Sequence, residues 1–384
     1  MTELLLPNAD RSTERYTIIA GNAPVSGGAW NRTAYAAAHV VSDPFAPVDP
    51  WIDAAVDWDA TLAFREHLWK LGFGVAEAMD TAQRGMGVDW PTSLELIQRS
   101  TALAQAGGHL IASGAGTDNL EVGPDTTIDD VIAAYEMQCE AVEATGSRVI
   151  LMASRALCAV AKTPADYARV YERILGGLQQ PAILHWLGEM FDPALQGYWG
   201  SADHEVAMDN CLEILIANAS KIDGIKVSLL SADKEISMRR RLPDGVLMYT
   251  GDDFNYPDLI KGDDKGYSHA LLGIFDPIAD VAALALNALA TNDMKAYDTA
   301  FGPTVPLSRH IFGAPTRFYK TGVVFMAYLN GHQDHFTMVG GQESARSMLH
   351  LADIVRLASE AQLFSDPERA AARARCVFAA RGIG

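Results

Sequence analysis

Residues 181–228 read PAILHWLGEMFDPALQGYWGSADHEVAMDNCLEILIANASKIDGIKVS. A short apolar run, Ala182–Trp186, is followed by a helical pattern over Glu205–Ser220 and then by a second apolar run, Gly224–Ser228. A strand, a helix and a further strand in this order form the repeating unit of a parallel sheet. The stretch therefore predicts one β–α–β unit with Lys226 inside its second strand.

The same alternation extends from residue 34 to residue 293. It predicts eight strands, at Tyr35–Val41, Phe73–Asp80, His109–Ser113, Arg148–Ala153, Ala182–Trp186, Gly224–Ser228, Gly245–Thr250 and Gly266–Leu272. Helical patterns lie between them, at Asp59–Leu71, Thr92–Ala106, Ile128–Ala144, Pro164–Leu178, Glu205–Ser220 and Pro277–Ala290. Eight strands with intervening helices favour a closed (β/α)8 TIM barrel, and no glycine-rich dinucleotide turn follows the first strand.

Two extensions flank the predicted barrel, so that the chain divides into residues 1–33, 34–293 and 294–384. The alternating stretch Arg15–Ala20, followed by the turns Gly21-Asn22 and Gly27-Gly28, predicts an N-terminal β-hairpin. Residues 294–384 predict a helical region packed on the barrel, with apolar periodicity over Tyr319–Leu329 and Ser344–Leu363.

Two helix starts have a clear signal, in which a capping side chain precedes a proline at the first helical position. These are Thr163-Pro164 and Asp276-Pro277. The proline lacks the N–H group that would have no partner there, so both pairs predict a helix N-terminus.

The composition excludes several classes of protein. The formal net charge of −18 argues against binding to nucleic acid or to an anionic membrane surface, because both need a basic face. Residues 1–11 lack the pattern of a signal peptide, and no apolar stretch is long enough to span a bilayer. The four cysteines show no C-x-x-C spacing. We expect a cytoplasmic protein with reduced thiols.

Lys226 is the first candidate for catalysis. A lysine within an apolar strand is uncommon, because burying an ammonium group without a partner costs several kcal/mol. A depressed pKa avoids this cost, and the neutral amine is a nucleophile that can form an imine with a carbonyl compound. A lysine paired with a carboxylate, or one pointing outward between helices, explains the strand equally well at this point.

Other polar residues follow the ends of predicted strands. His185 could transfer protons, although a histidine bonded to a backbone carbonyl fits the same pattern. One carboxylate of Asp252-Asp253 could contact a ligand or cap the next helix. Arg84 could bind an anion or form a surface ion pair. His332 and His335 favour a helix-capping loop over a metal site, because no recognised ligand motif surrounds them.

The stretch from Pro181 to Asp253 resembles the dihydrodipicolinate synthase / N-acetylneuraminate lyase family of class I aldolases. That family has Pro-x-x-Leu-Tyr in its fifth strand, Gly-Ile-Lys in its sixth and Gly-Asp-Asp after its seventh. This chain has Pro181–His185, Gly224-Ile225-Lys226 and Gly251-Asp252-Asp253 in the same order. The whole chain is most similar to a divergent bacterial branch described as a domain of unknown function. The resemblance implies that Lys226 forms a Schiff base without another cofactor or a metal, in a homodimer or homotetramer.

The chain departs from the family at several positions. His185 stands where the family has the tyrosine that relays protons, and Asp80-Thr81-Ala82-Gln83-Arg84 replaces the Gly-Thr-Thr-Gly-Glu turn that binds a carboxylate. The tyrosines after the fourth strand are absent from the region just behind Arg155, and Gly266-Tyr267-Ser268 matches Gly-x-x-Ser only loosely. Besides the catalytic Lys226 and His185, the residues that we predict to contact substrate are Asp80, Thr81, Arg155, Asp252 and Ser268.

These departures imply retained imine chemistry on a changed substrate. Asp80 would repel a carboxylate, so we predict a keto-sugar, keto-polyol or related 2-oxo compound, cleaved by a retro-aldol reaction or dehydrated. One rival hypothesis is a metal-dependent sugar isomerase or epimerase, with ligands chosen from Glu77, Asp80, His185, Glu189 and Asp252. The other rival is a carbohydrate-binding barrel without catalysis.

Overall fold

The structure is a computed structural model that describes residues 2–21 and 26–383. Strands β1 (Thr2–Pro7) and β2 (Thr13–Ile18) form an antiparallel hairpin. Eight parallel strands form a closed barrel: β3 (Ala34–Ala37), β4 (Gly74–Glu77), β5 (Ile111–Ala115), β6 (Arg148–Leu151), β7 (Ala182–Leu187), β8 (Ile222–Ser228), β9 (Leu247–Thr250) and β10 (His269–Leu272). The ring closes where β10 pairs with β3, which confirms the predicted (β/α)8 barrel.

The helices follow the predicted alternation. They are α1 (Trp58–Lys70), α2 (Trp90–Gly107), α3 (Ile128–Ala144), α4 (Arg155–Val160), α5 (Pro164–Gly177), α6 (His204–Ala217), α7 (Ala232–Arg239), α8 (Tyr256–Lys261), α9 (Ala279–Ala290), α10 (Met294–Phe301), α11 (Thr304–Ile311), α12 (Tyr319–Asn330), α13 (Met348–Glu360) and α14 (Pro367–Ala379). Within the described ranges, no helix has both the length and the apolar character needed to cross a membrane.

The chain divides into two compact units. One comprises Met1–Asn31, Ala38–Phe73 and Gly273–Gly384, and the other comprises Arg32–Ala37 and Gly74–Leu272. The second unit, which we call the barrel unit, contains all eight barrel strands and helices α2 to α8. The first unit has residues on both sides of the boundaries after residues 33 and 293, and the barrel unit has residues on both sides of the first boundary only. The division into three consecutive domains stays a prediction.

The N-terminal hairpin differs in detail from its prediction. The stretch Arg15–Ala20 contributes to β2, but its partner β1 precedes it instead of following the glycine-rich turns. The predicted turn at Gly21-Asn22 lies partly outside the described residues. Three consecutive leucines, Leu4 to Leu6, hide the alternation of β1 and explain why the sequence did not reveal it.

The two predicted helix starts have different outcomes. Thr163 is the N-cap of α5, and its backbone N–H donates to Asp166 in a capping box, as the Thr163-Pro164 pair predicts. The prediction at Asp276 is wrong, because α9 begins later and its N-cap is Ile278. The Asp276 carboxylate instead accepts hydrogen bonds from His39, which is 237 positions away in the sequence.

The register of the strands places Lys226 inside the barrel. Ile183 belongs to the apolar interior of the barrel, and His185 lies two positions further along the same strand. Because side chains alternate along a strand, His185 also points inward. Lys226, on β8, lies opposite His185 of β7 and opposite Tyr249 of β9. It therefore points to the interior near the carboxyl end of its strand, where the reactive groups of such barrels lie.

Candidate active site

Lys226 is only 7% exposed. Within the described part of the chain, its ammonium group has no hydrogen bond or ion pair. Burial lowers its pKa, while the negative charges of Asp253 and Asp80 oppose this shift. A lowered pKa increases the fraction of neutral amine at neutral pH, and the neutral amine is the form that attacks a carbonyl carbon.

His185 lies beside Lys226 as a neutral ring. Its Nε2 atom is 3.1 Å from the hydroxyl oxygen of Ser228, and its buried Nδ1 atom has no partner among the described residues. Burial and, to a smaller extent, the charge of Lys226 hold the pKa of His185 well below its usual value. A neutral imidazole with one nitrogen atom available can accept a proton from a nearby hydroxyl group.

The low pKa of His185 predicts a dependence of stability on pH. Folding keeps the ring neutral, so below its ordinary pKa of 6.5 the unfolded chain binds one more proton than the folded chain. The stabilising contribution is complete above this pH and is lost as the pH falls. In the His185→Gln variant, the free energy of unfolding should therefore decrease less steeply as the pH is lowered. The difference in slope should be up to about 1.4 kcal/mol per pH unit.

Urea unfolding at several pH values below 7 measures this slope. His109→Gln is the matched control, because His109 is exposed. An identical slope for wild type and His185→Gln would contradict a neutral, buried His185.

Gly251 has no side chain, which leaves space for the side chains of Lys226 and Ser228. A Cβ atom added to Gly251 would lie 2.7 Å from Lys226 Cε and 2.8 Å from the carbonyl oxygen of Val227, and it would also overlap with Ser228 Oγ. Because the carbonyl oxygen cannot move freely, Gly251→Ala should displace both side chains and lower kcat by about 10²-fold. The control is Gly176→Ala, whose Cβ would meet nothing within 4 Å. A normal kcat in Gly251→Ala would contradict this placement.

A cavity of about 270 Å³ lies at the carboxyl ends of β4 to β7. Its polar lining comes from His185, from two arginines and from hydroxyl and carboxylate groups, namely Asp80, Arg84, Thr117, Asp118, Arg155 and Asp192. His185 lines this cavity, and its register partner Lys226 on the next strand is not part of the lining. The geometry thus brings together Lys226, His185, Asp80 and Arg155 of the predicted residues.

Both arginines of the cavity are paired with carboxylates. The side chain of Arg84 is 2% exposed and donates to both oxygens of Asp118, at 3.0 and 2.7 Å, and to Gln138. It is therefore not the surface arginine considered from the sequence. Arg155 donates to Asp192 through Nε. With these two pairs formed, Asp80 is the remaining carboxylate of the lining, which gives the cavity a negative rather than a positive character.

Three predicted contact residues do not line the cavity. Thr81 is buried in the short 3₁₀ helix Asp80–Ala82. The carboxylate of Asp252 accepts from the backbone N–H groups of Phe254 and Asn255, at 2.8 and 3.0 Å, in the turn before α8, whose N-cap is Asn255 and not Asp252. Ser268 donates to Glu235 of helix α7 at 2.7 Å.

Two of the residues considered as metal ligands also form hydrogen bonds within the protein. Glu77 accepts from the backbone N–H of Ala78, and Glu189 accepts from His204 if that ring donates. In residues 2–21 and 26–383, no three His, Cys, Asp or Glu side chains come together as a metal ion would require.

Sequence reasoning missed three residues near the reactive groups. Ser228 follows Lys226 by two positions on the same strand, so alternation alone could have placed it on the same face. Asp253, rather than Asp252, is the carboxylate of that pair whose charge acts on Lys226. Asp118 follows the end of β5, a position typical of ligand contacts in barrels, but its partner Arg84 is 34 residues away.

Solved structures with a similar fold include the following three. Dihydrodipicolinate synthase from Oceanobacillus iheyensis is 15% identical, with a TM-score of 0.57 over 81% of this chain and 88% of that one. The enzyme from Bacillus clausii is 14% identical, with a TM-score of 0.62 over 85% and 97%. YagE, a prophage protein of the dihydrodipicolinic acid synthase family from E. coli K12 solved with pyruvate, is 13% identical, with a TM-score of 0.63 over 87% and 100%.

Sequence comparison with curated proteins finds no match. At these identities the structural likeness establishes the barrel fold, which agrees with the resemblance seen in the motifs. A family model described as "Protein of unknown function (DUF993)" matches residues 4–383, nearly the whole chain. The chain belongs to the DUF993 family, and its barrel fold is similar to that of dihydrodipicolinate synthase.

Proposed function

We propose that the protein is a class I aldolase or lyase in which Lys226 forms a Schiff base with a carbonyl substrate. The observation that carries the proposal is the buried Lys226 amine, with a lowered pKa, directly beside a neutral His185. The pairing of a nucleophile with a proton acceptor on adjacent strands is what imine formation and cleavage of a C–C bond require.

The reaction begins when the neutral amine of Lys226 adds to the ketone, takes up one proton from solvent and loses water, which produces a protonated imine. His185 then takes the proton of the β-hydroxyl group. The electrons of the C–C bond move to the imine nitrogen, so that an aldehyde and an enamine form. Protonation of the enamine carbon by His185 restores a protonated imine, and its hydrolysis releases the second product, the free lysine and the proton taken up at the start. In the dehydration, His185 takes the proton of the α-carbon of the same imine instead, and the resulting enamine expels the β-hydroxyl group, which leaves as water with that proton.

His185 has a defined role in this sequence. If Nε2 donates its hydrogen to Ser228, then Nδ1 bears the lone pair that accepts the proton. The proton that Nδ1 takes can return to the enamine carbon, so the histidine ends each cycle neutral. The Ser228 hydroxyl can accept this hydrogen bond, so the contact is compatible with the required tautomer.

The cavity favours a neutral, hydroxylated substrate. Arg84 and Arg155 are paired with Asp118 and Asp192, and Asp80 adds a half-buried acceptor. Carboxylate acceptors bind hydroxyl groups, whereas they repel the carboxylate of a 2-oxo acid. We therefore propose a keto-sugar or keto-polyol as substrate.

Release of aldehyde from a neutral ketose and from a 2-oxo acid of equal chain length tests this proposal. The ketose should have a kcat/KM at least tenfold higher, a difference of about 1.4 kcal/mol in transition-state stabilisation. Addition of EDTA should leave the rate unchanged. A preference for the 2-oxo acid would reject the substrate class, loss of activity with EDTA would favour a metal-dependent isomerase, and binding without turnover would favour a non-catalytic barrel.

A further inference from the structure

A second cavity, of about 240 Å³, lies in the unit that contains both chain ends. It shares no lining residue with the cavity beside His185. Its four titratable residues, which the proposed reaction does not use, are His67, Asp276, Asp280 and His332. Apolar side chains, among them Leu284, Met326 and Leu363, complete the wall. We call it the histidine–carboxylate cavity.

Asp276 contributes an unsatisfied acceptor to this cavity. Its side chain is fully buried, and Oδ2 accepts from the backbone N–H of His39 at 2.8 Å and lies 2.7 Å from Nδ1 of the same residue. The buried Oδ1 has no partner among the described residues. A buried carboxylate oxygen without a hydrogen bond costs free energy, which a ligand with an N–H donor would recover.

Asp280 adds a second acceptor of the same kind. Burial alone would raise the pKa of Asp280, but the interaction with His67, whose Nε2 lies 3.5 Å from Oδ2, lowers it overall, so the group is a carboxylate. Its Oδ1 atom is also buried without a partner in the described part of the chain. His67 and Asp280 remain partly exposed, with 27% and 42% of their side chains accessible, so the cavity is open to a ligand from solvent.

His332 does not neutralise these carboxylates. Burial and the neighbouring rings of His67 and His39 lower the pKa of His332 to about 3, so this ring is neutral at physiological pH. The ring centroids of His67 and His332 are 4.6 Å apart. His39 and His67 contact Oδ2 of Asp276 and of Asp280, so Oδ1 of each carboxylate remains an acceptor for a ligand.

We propose that the histidine–carboxylate cavity binds a small organic cation, an ammonium or guanidinium group on a short aliphatic chain. The N–H donors of the cation satisfy Oδ1 of Asp276 and Oδ1 of Asp280. The aliphatic part packs against Leu284, Met326 and Leu363. An anion is disfavoured by the two carboxylates, and a neutral alcohol leaves their charge uncompensated.

Isothermal titration of the full chain with four butyl compounds tests the proposal. The probes are butylammonium, butylguanidinium, butyltrimethylammonium and 1-butanol. At least one of the first two should bind with one site per chain and a Kd below about 10 mM, whereas butyltrimethylammonium, which has the charge but no N–H donor, and butanol should bind at least about tenfold more weakly.

Variants locate the binding site. Asp276→Asn should weaken binding at least about tenfold, and Leu284→Trp, which fills the cavity and leaves both carboxylates in place, should do the same if the first variant unfolds. Asp244→Asn, at an exposed carboxylate, should bind normally. Absence of saturable binding by both N–H cations, equal binding of butyltrimethylammonium, or full binding by Leu284→Trp would overturn the proposal. Because binding is measured without turnover, the result is independent of the proposed aldolase activity.

Discussion

Replacing Lys226 with alanine is expected to lower the rate of substrate cleavage by roughly 10³-fold or more, since removal of a covalent nucleophile typically costs at least this much. The imine forms only on the amine of Lys226, and no other step of the proposed reaction proceeds without it. The fold should persist, because the variant removes a buried ammonium group that has no hydrogen-bond or ion-pair partner among the described residues. The rate of aldehyde release, measured beside the thermal midpoint of unfolding, checks both statements.

Two further variants separate the nucleophile from its charge. Lys226→Arg keeps a positive charge but cannot form the imine, so it should be as inactive as Lys226→Ala. Lys265→Ala removes an exposed lysine and should leave the rate unchanged. An active Lys226→Arg would mean that the charge, and not the amine, supports the reaction.

Arg84→Met is expected to lower the free energy of unfolding by about 3 to 5 kcal/mol, the usual cost of removing one partner of a buried ion pair. The buried guanidinium group donates to both oxygens of Asp118 and, at 2.6 Å, to the carbonyl oxygen of Gly114. Methionine fills the space but removes the guanidinium donors, while Asp118 keeps its hydrogen bond from Gln138 at 2.9 Å. Urea unfolding measures the difference.

Arg99→Met is the matched control for Arg84→Met. Arg99 is exposed and pairs with Glu95 one helical turn away, so its loss should cost at most about 1 kcal/mol. A second change in the Arg84 variant, Asp118→Leu, should recover part of the lost stability by removing the stranded charge. Equal effects of Arg84→Met and Arg99→Met would contradict the buried pair.

The barrel was predictable because its signal is repeated. Each strand is short and apolar, and six of the eight are followed by a predicted helical pattern, so an error at one boundary does not change the count. The predicted helix Ile128–Ala144 coincides with α3, whose capping box at Thr127 marks its start. Helices α4, α7 and α8 were not predicted, since six to eight residues are too few to establish a period.

The candidate site was predictable where local order determines it. Lys226 and His185 end up side by side because neighbouring strands of a parallel barrel align their carboxyl ends. The sequence could not decide between Asp252 and Asp253, because the turn before α8 determines which carboxylate binds the backbone. The partner of Asp276 could not be predicted either, because His39 lies on a segment that is distant in the sequence.

Reduction with borohydride tests the central claim most directly. The protein is incubated with a keto-sugar and sodium borohydride, and the mass of the intact chain and of its peptides is measured. The proposal predicts one added substrate fragment per chain, located on Lys226, and no adduct in Lys226→Ala. An adduct on another lysine, or turnover of the same ketose without any adduct, would contradict Schiff-base chemistry at Lys226.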